Sequence, residues 1–214
     1  MKNLDLINIE EELKKRWEDP YVWGRKQNDL WDKQSNFIYE IKNWELLKEK
    51  IAIVSSNHNL DKQDFFNYCS NRWYNFQSAM AVEHIFSGFD GIDPSLNSRN
   101  RLLDFKLSGI DFDHKTSVYP RNFGKDLKFA MKNPEELISW LYQNQSKQQR
   151  QHFANRLFLI VYAEDGQHWK LKAEISWLKG IIGAYLNSFK TDQLKKFEFQ
   201  SGKTTLSDII WAVK

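Results

Sequence analysis

The chain has 214 residues, of which 41% are hydrophobic and 15% aromatic, with nine Trp. This composition excludes a disordered chain, and the length suits one domain or one domain with a helical extension. A net charge of +3 permits nucleic-acid binding without requiring it. The single cysteine, Cys69, cannot form an internal disulfide, and no run approaches the roughly 18 apolar residues of a membrane span. We therefore expect a cytoplasmic protein with no membrane partner.

The chain up to Gly88 predicts helices. Helical spacing covers residues 4–17 and 37–53, and residues 61–88 predict one or two further helices. The last of these runs contains Glu83 and Cys69. Because Cys69 lies among aromatic residues at helical spacing, we expect a buried thiol and not a nucleophile.

Residues 101–120 predict a β-hairpin, because apolar and polar residues alternate on both sides of Ser108-Gly109 and Gly accepts the positive φ of a tight turn. A two-residue loop also fixes the register of the two strands. One face is then mostly apolar, with Leu107 opposite Ile110, Phe105 opposite Phe112 and Leu103 opposite His114. The other face gathers charged side chains, with Lys106 opposite Asp111, Asp104 opposite Asp113 and Lys115 opposite Leu102.

Basic residues follow the hairpin and recur in the next predicted helix, residues 134–153, for which Asn133 is the expected cap. Four of them are candidates for binding a phosphate backbone: Arg121, Lys125, Lys128 and Arg150. A solvated surface is the alternative interpretation of each. His152, at the end of this helix, is expected to be a surface histidine.

The remaining chain predicts two strands, a helix and a terminal element. The continuous apolar run at 155–162 indicates a strand buried on both faces, and residues 168–175 alternate like a neighbouring strand. Helical spacing returns over residues 176–189. Residues 197–213 predict one edge element and a short helix around 206–211.

Asp104 and Asp113 together predict a divalent metal site. Two carboxylates opposite each other on a sheet lie roughly 5 Å apart and repel unless a cation lies between them. Mg²⁺ prefers oxygen ligands of this kind. Lys115 must point to the same side of its strand as Asp113, where an ammonium can stabilise phosphate charge or orient an attacking water. Asp111 competes as a ligand, but Asp113 has the spacing to Lys115, so Asp111 is secondary.

At these residues the chain resembles the PD-(D/E)xK nuclease superfamily, which has the restriction-endonuclease-like fold. The family signature is an Asp on one strand, then Asp or Glu, any residue, and Lys on the next strand. Asp104 and Asp113-His114-Lys115 match it. Many members also carry a Glu on a preceding helix, and Glu83 lies where that residue is expected. The chain departs from the commoner pattern in having Leu103 in place of Pro and Asp113 in place of Glu.

The resemblance implies an α/β fold, with a mixed central sheet flanked by helices as an αβα core and an N-terminal helical extension. We expect residues 1–60 to form a helical region packed on a nuclease core of residues 61–214, the whole making one compact domain. The implied activity is that of a Mg²⁺-dependent endonuclease that hydrolyses DNA, with Mn²⁺ as a substitute and RNA as the alternative substrate. Asp104, Asp113 and Glu83 would hold the metal, and Lys115 would position the water. A homodimer, or a subunit of a larger nuclease complex, is expected.

Two other kinds of protein stay open at this point. The same fold could serve as a non-catalytic nucleic-acid-binding or assembly module, with a basic surface but no metal-dependent cleavage. A helical interaction protein would use its nine Trp as core or partner surface, and its D-x-K would be an ordinary hairpin face. An exposed Glu83 would fit either of these alternatives.

Overall fold

The fold was analysed on a computed structural model, which describes residues 4–23, 29–95, 103–144 and 152–214. It is a mixed α/β structure with a six-stranded sheet and flanking helices. The chain divides into two compact units, one of Met1–Val82 with Lys172–Trp177, the other of Glu83–Leu171 with Leu178–Lys214. Among the described residues, no helix is long and apolar enough to cross a membrane.

Helices make up the first unit, as the sequence predicts. They are α1 (Leu6–Lys15), α2 (Asp29–Gln34), α3 (Trp44–Asn57) and most of α4 (Lys62–Ser87). The prediction of a helix over 37–53 is wrong at its start, where a 3₁₀ turn occupies Asn36–Tyr39 and α3 begins only at Trp44. The physical reason is Asn43, whose side chain accepts a hydrogen bond from the Leu46 amide at 3.0 Å and so caps the helix there.

Aromatic side chains fill the core of this unit. The rings of Trp44 and Trp73 lie 5.4 Å apart, and both are essentially buried. The Trp73 indole N–H donates to the carbonyl of Ile41 at 2.7 Å, which satisfies its buried polar atom. Burial raises the pKa of the Cys69 thiol to about 12. The expected buried thiol is confirmed.

The sheet belongs to the second unit and has the strand order β1-β2-β3-β4-β6-β5. Its strands are β1 (Ile92–Pro94), β2 (Phe105–Leu107), β3 (Ile110–Val118), β4 (Arg156–Tyr162), β5 (Lys195–Gln200) and β6 (Lys203–Val213). Strands β3, β4 and β6 run parallel to one another, whereas the β1–β2, β2–β3 and β5–β6 pairs are antiparallel. The sheet is therefore mixed, as predicted.

The predicted hairpin is confirmed at its turn and in the three pairs next to it. The predicted pairs Leu103–His114 and Asp104–Asp113 are wrong, because the ladder starts at Phe105, and Leu102 lies outside the described residues. The strand partners are Phe105 with Phe112, Lys106 with Asp111 and Leu107 with Ile110. Ser108 and Gly109 form the turn with φ values of +51° and +77°. Two positive φ values in succession are typical of the hairpin turn whose twist matches that of the strands.

The central strand β4 is buried on both sides, as its apolar run predicts. On one side, Phe158 and Ile160 belong to a cluster with the helices α5 (Leu127–Lys132) and α6 (Pro134–Gln143). Pro134 opens α6 as predicted, but the Asn133 side chain does not cap it and donates instead to the Phe129 carbonyl at 2.9 Å.

On the other side of the sheet, α7 (Ile175–Ser188) reaches β6 through Tyr185, whose hydroxyl donates to the Asp208 carboxylate at 2.8 Å. The sheet is thus flanked by helices on both faces. The predicted helix over 134–153 is confirmed from Pro134 to Gln143 and is wrong at its end, since His152 and Phe153 are not helical; residues 145–151 lie outside the described residues.

Two secondary-structure predictions for the C-terminal third are wrong. Residues 168–175, predicted as a strand, form a 3₁₀ turn over His168–Ala173 that leads into α7. The His168 ring accepts a hydrogen bond from the Ala163 amide at 2.9 Å and so turns the chain away from the sheet. Residues 206–211, predicted as a short helix, lie inside β6, because the strand beside β4 is supplied by this segment.

Candidate functional site

The second unit contains all four residues of the predicted catalytic set. Glu83 lies in the last turns of α4, Asp104 directly precedes β2, and Asp113 and Lys115 lie in β3. The antiparallel pairing of β2 and β3 brings Asp104 beside the start of β3, where the Asp104 amide donates to the Phe112 carbonyl at 2.9 Å.

Asp104 is held by His114. One carboxylate oxygen of Asp104, Oδ2, accepts the His114 amide at 2.8 Å and lies 2.7 Å from the ring Nδ1 of the same residue. The imidazole is buried and packs against Phe86 and Phe105, at centroid distances of 5.5 and 6.4 Å. The sequence predicts that His114 lies on the apolar face of the hairpin, away from Asp104. This prediction is wrong. The regular pairing of β2 with β3 starts at Phe105, so Asp104 lies just outside the ladder, where its carboxylate accepts the His114 amide.

This pairing shifts both pKa values. Burial favours the uncharged carboxyl of Asp104, but the hydrogen bonds and charge of His114 outweigh burial and lower the pKa of Asp104. Burial likewise favours a neutral imidazole, yet the Asp104 carboxylate raises the pKa of His114 above its ordinary value. Each shift favours the charged form, so the pairing stabilises a carboxylate on Asp104 and an imidazolium on His114.

Asp113 is held by Arg156, its ladder partner on β4. The Arg156 Nε donates to Asp113 Oδ2, and the Arg156 Nη2 donates to the ring Nε2 of His152 at 2.8 Å. The same His152 nitrogen lies 3.9 Å from Asp113 Oδ2. His152 is thus not the surface histidine predicted, since its side chain is only 16% exposed and belongs to this cluster.

The three carboxyl groups influence one another electrostatically. A hydrogen bond with Asp113 is among the causes that lower the pKa of Asp104. Burial and the Asp104 charge raise the pKa of Asp113 despite the Arg156 guanidinium. Burial and the same Asp104 charge raise the pKa of Glu83. Two of the three acids are therefore destabilised as anions, which is the condition that an added cation would relieve.

Lys115 lies exposed on β3, two residues beyond Asp113. Its charge is one of the causes that lower the pKa of His152, after burial and the Arg156 charge, which shows that the ammonium is near this cluster. Asp111 forms an exposed ion pair with Lys106 on β2. Because Asp111 pairs with Lys106 and not with the buried acids, it stays a secondary candidate ligand.

The predicted phosphate-binding residues lie on the segment that follows β3. Arg121 belongs to a 3₁₀ turn, Lys125 precedes α5 and Lys128 lies within it, and all three side chains are exposed. Arg150 lies outside the described residues. An exposed position suits contact with a phosphate backbone and suits solvent equally.

An open groove of about 420 Å³ lies on the second unit near the start of β3. Its lining combines the hairpin, the chain entering β4 and the β5–β6 turn, and includes Leu103, Asp111, Phe153, Asn155, Lys203 and Thr205. Asp111 is two residues before Asp113 on β3, but the described lining residues include none of the four predicted catalytic residues.

The three carboxyl groups of this cluster have the ligand chemistry that a divalent cation requires. Glu83, Asp104 and Asp113 supply only oxygen ligands, which Mg²⁺ and Mn²⁺ accept. The pKa values of Glu83 and Asp113 are raised first by burial and then by the neighbouring Asp104 charge. Across the described residues, however, no three His, Cys, Asp or Glu side chains are already arranged to hold a metal ion. The oxygen ligands therefore suit the ion chemically, but the described side chains are not arranged as a complete metal site.

Three residues of the cluster were missed as site residues from the sequence: His114, His152 and Arg156. His114 is the variable position of the D-x-K pattern and alternates with the apolar face of β3. His152 and Arg156 lie four residues apart at the entry to β4, but the partner of Arg156 is 43 residues earlier. Only the parallel pairing of β3 with β4 reveals that contact.

No protein-family model, curated protein or solved structure matches this chain.

Proposed function

We propose that the chain is a divalent-metal-dependent nuclease of the PD-(D/E)xK type that hydrolyses phosphodiester bonds in DNA. The observation that carries this proposal is the pair of neighbouring carboxyl groups of Asp104 and Asp113, with Lys115 on the same strand as Asp113. A surface hairpin does not need to bury two acids against each other, since the arrangement costs stability unless a ligand compensates it.

The residues have distinct parts in this proposal. Asp104 and Asp113 would hold a Mg²⁺ or Mn²⁺ ion, with Glu83 as a third ligand or as a group that orients one. When bound, the ion would polarise the scissile phosphate and lower the pKa of a bound water. The Lys115 ammonium would neutralise charge on the phosphate and orient the water, and its exposure allows a bulky substrate to reach it.

The substrate would lie along the groove near the start of β3. Lys203, an exposed residue of its lining, would offer an ammonium suited to a phosphate backbone. Arg121, Lys125 and Lys128 would add attraction that does not depend on base sequence. DNA is the proposed substrate, and RNA is the alternative that the same contacts would accept.

Cleavage assays on labelled single- and double-stranded DNA and RNA test this proposal. The purified chain should cut DNA with Mg²⁺ or Mn²⁺ and not with EDTA, and Asp113→Asn should lose this activity. A thermal melt of Asp113→Asn in EDTA checks that the variant is folded. Cleavage of equal rate in EDTA, or in the Asp113→Asn variant, would refute the proposal.

A second function is favoured by the pairing of each aspartate with a protein cation. His114 on Asp104 and Arg156 on Asp113 balance charge that a metal would otherwise balance. A non-catalytic nucleic-acid-binding module would show this same arrangement. It would bind DNA with a salt-dependent affinity that EDTA does not change, and it would cut none.

A further inference from the structure

Arg156 occupies an unusual position for a positive charge. It is the first residue of β4, and its side chain is only 4% exposed. The guanidinium lies 5.5 Å from the ring centroids of both Tyr142 and Phe158. Aromatic faces replace much of its hydration, so the hydrogen bonds of the guanidinium are confined to a few protein partners.

Those partners fix the orientation of the planar, forked guanidinium group of Arg156, the fork. The Nε–H points to Asp113 Oδ2, while Nη2 donates to His152 Nε2 at 2.8 Å. Behind the fork, the Arg156 carbonyl accepts the Ser207 hydroxyl at 2.7 Å, which ties the backbone to β6. Because the planar guanidinium is hydrogen-bonded through two of its nitrogens, it holds the Asp113 carboxylate in one orientation.

Asp104 is held in a corresponding way. Its Oδ2 accepts both the amide and the ring contact of His114. Each aspartate is therefore anchored through Oδ2, Asp104 by the amide and ring of His114 and Asp113 by the guanidinium of Arg156. A simple ion pair would stabilise one aspartate and would not need a second one nearby. Two anchored aspartates are instead suited to bind one common ligand.

We propose that Arg156 is a positioning residue, which fixes Asp113 through Oδ2 so that Asp113 and Asp104 bind one divalent ion, and that His152 keeps the guanidinium oriented. This inference rests on the proposed nuclease function. Residues that orient metal ligands typically change metal affinity by about 10- to 100-fold when they are replaced. A merely structural arginine would alter stability and leave metal affinity unchanged.

The first unit offers a matched control in Arg72. It is also buried, forms an ion pair with Asp32 at 3.3 Å and lies over the rings of Tyr39 and Tyr68. The substitutions Arg156→Lys and Arg72→Lys therefore remove the same fork from similar surroundings. Only the first removes it from a carboxylate of the proposed metal site.

The experiment is a titration of the full chain with Mn²⁺ by isothermal calorimetry, with melting temperatures in EDTA measured in parallel. Arg156→Lys should weaken Mn²⁺ binding by about 10- to 100-fold, while Arg72→Lys should stay within about twofold of the wild type. Both variants should lower the melting temperature, because a lysine cannot reproduce the bonds of a buried arginine.

Unchanged Mn²⁺ affinity in a folded Arg156→Lys variant would overturn the positioning role. If that variant does not fold, His152→Gln takes its place, since His152 is partly exposed and accepts a hydrogen bond from the Arg156 Nη2. Weaker Mn²⁺ binding in His152→Gln supports the role, and wild-type binding overturns it. A wild-type chain that binds no Mn²⁺ would instead overturn the proposed nuclease function itself, and the inference with it.

Discussion

Replacing Glu83 with Gln should stabilise the metal-free protein while impairing it as a nuclease. Burial and the nearby Asp104 charge raise the pKa of Glu83, and the opposing effect of His114 is smaller. A carboxyl whose pKa is raised on folding binds its proton more tightly in the folded state, so ionisation at neutral pH costs stability. Gln keeps the shape of the side chain and removes that cost.

The expected gain follows from the size of such shifts. One pKa unit corresponds to about 1.4 kcal/mol. Because Glu83 is only partly buried, solvent screens part of this cost, and we expect the free energy of unfolding to rise by no more than about 1 kcal/mol at pH 7. For a chain of this length the melting temperature should rise by no more than about 4 °C. The gain should shrink toward zero as the pH falls through the folded pKa of Glu83, because the wild-type carboxyl then becomes neutral as well.

Urea denaturation in EDTA between pH 4 and pH 8 measures this effect. Glu49→Gln is the control, because Glu49 is an exposed residue within α3 and its replacement should change stability by less than about 0.5 kcal/mol. The same Glu83→Gln variant should cut DNA more slowly in Mg²⁺. A loss of stability at pH 7 would refute the reasoning, since it would mean that Glu83 is stabilised as an anion in the fold.

Three further predictions concern the hairpin, its buried ion pair and the thiol. Gly109→Ala should lower the free energy of unfolding by about 1–2 kcal/mol in urea denaturation, because φ is +77° there and no atom crowds the added methyl; an unchanged value would contradict the turn. In EDTA, the stability contributed by the lowered pKa of Asp104 should be lost as the pH falls below about 4. The contribution of the raised pKa of His114 should be lost as the pH rises above about 6.5, and this alkaline loss should disappear in His114→Asn. Cys69 should resist a thiol reagent in the folded protein and react on unfolding, because burial raises its pKa to about 12; rapid labelling of the folded chain would contradict its burial.

Local signals in the sequence predicted much of the sheet's centre. Ser108-Gly109 specifies a turn whose register follows from its length, and the apolar run of β4 requires burial on both sides. Both features depend on neighbours within a few residues. The segments at 168–175 and 206–211 were mispredicted because alternation over a few residues also fits a 3₁₀ turn, and a short apolar run fits strand or helix equally.

The site was predicted only in its acidic residues and its lysine. Asp104, Asp113 and Lys115 share a pattern that a hairpin register can place together. Arg156 could not be predicted, because its contact with Asp113 depends on the parallel pairing of strands that are separated by two helices. The contact of Asp104 with His114 could not be predicted either, because Asp104 lies just outside the β2–β3 ladder, where strand alternation no longer sets the side-chain direction.

The most direct test of the proposed nuclease compares two exposed lysines of the hairpin. Plasmid cleavage in Mg²⁺ would be measured for the wild type, Lys115→Ala and Lys106→Ala, with EDTA as the blank. Lys106 pairs with Asp111, away from the buried acids, and its loss should change the rate by less than about twofold. Lys115→Ala should cut at least about 100-fold more slowly with an unchanged melting temperature. Equal rates for the two variants, or cleavage that survives EDTA, would contradict the assignment of this site.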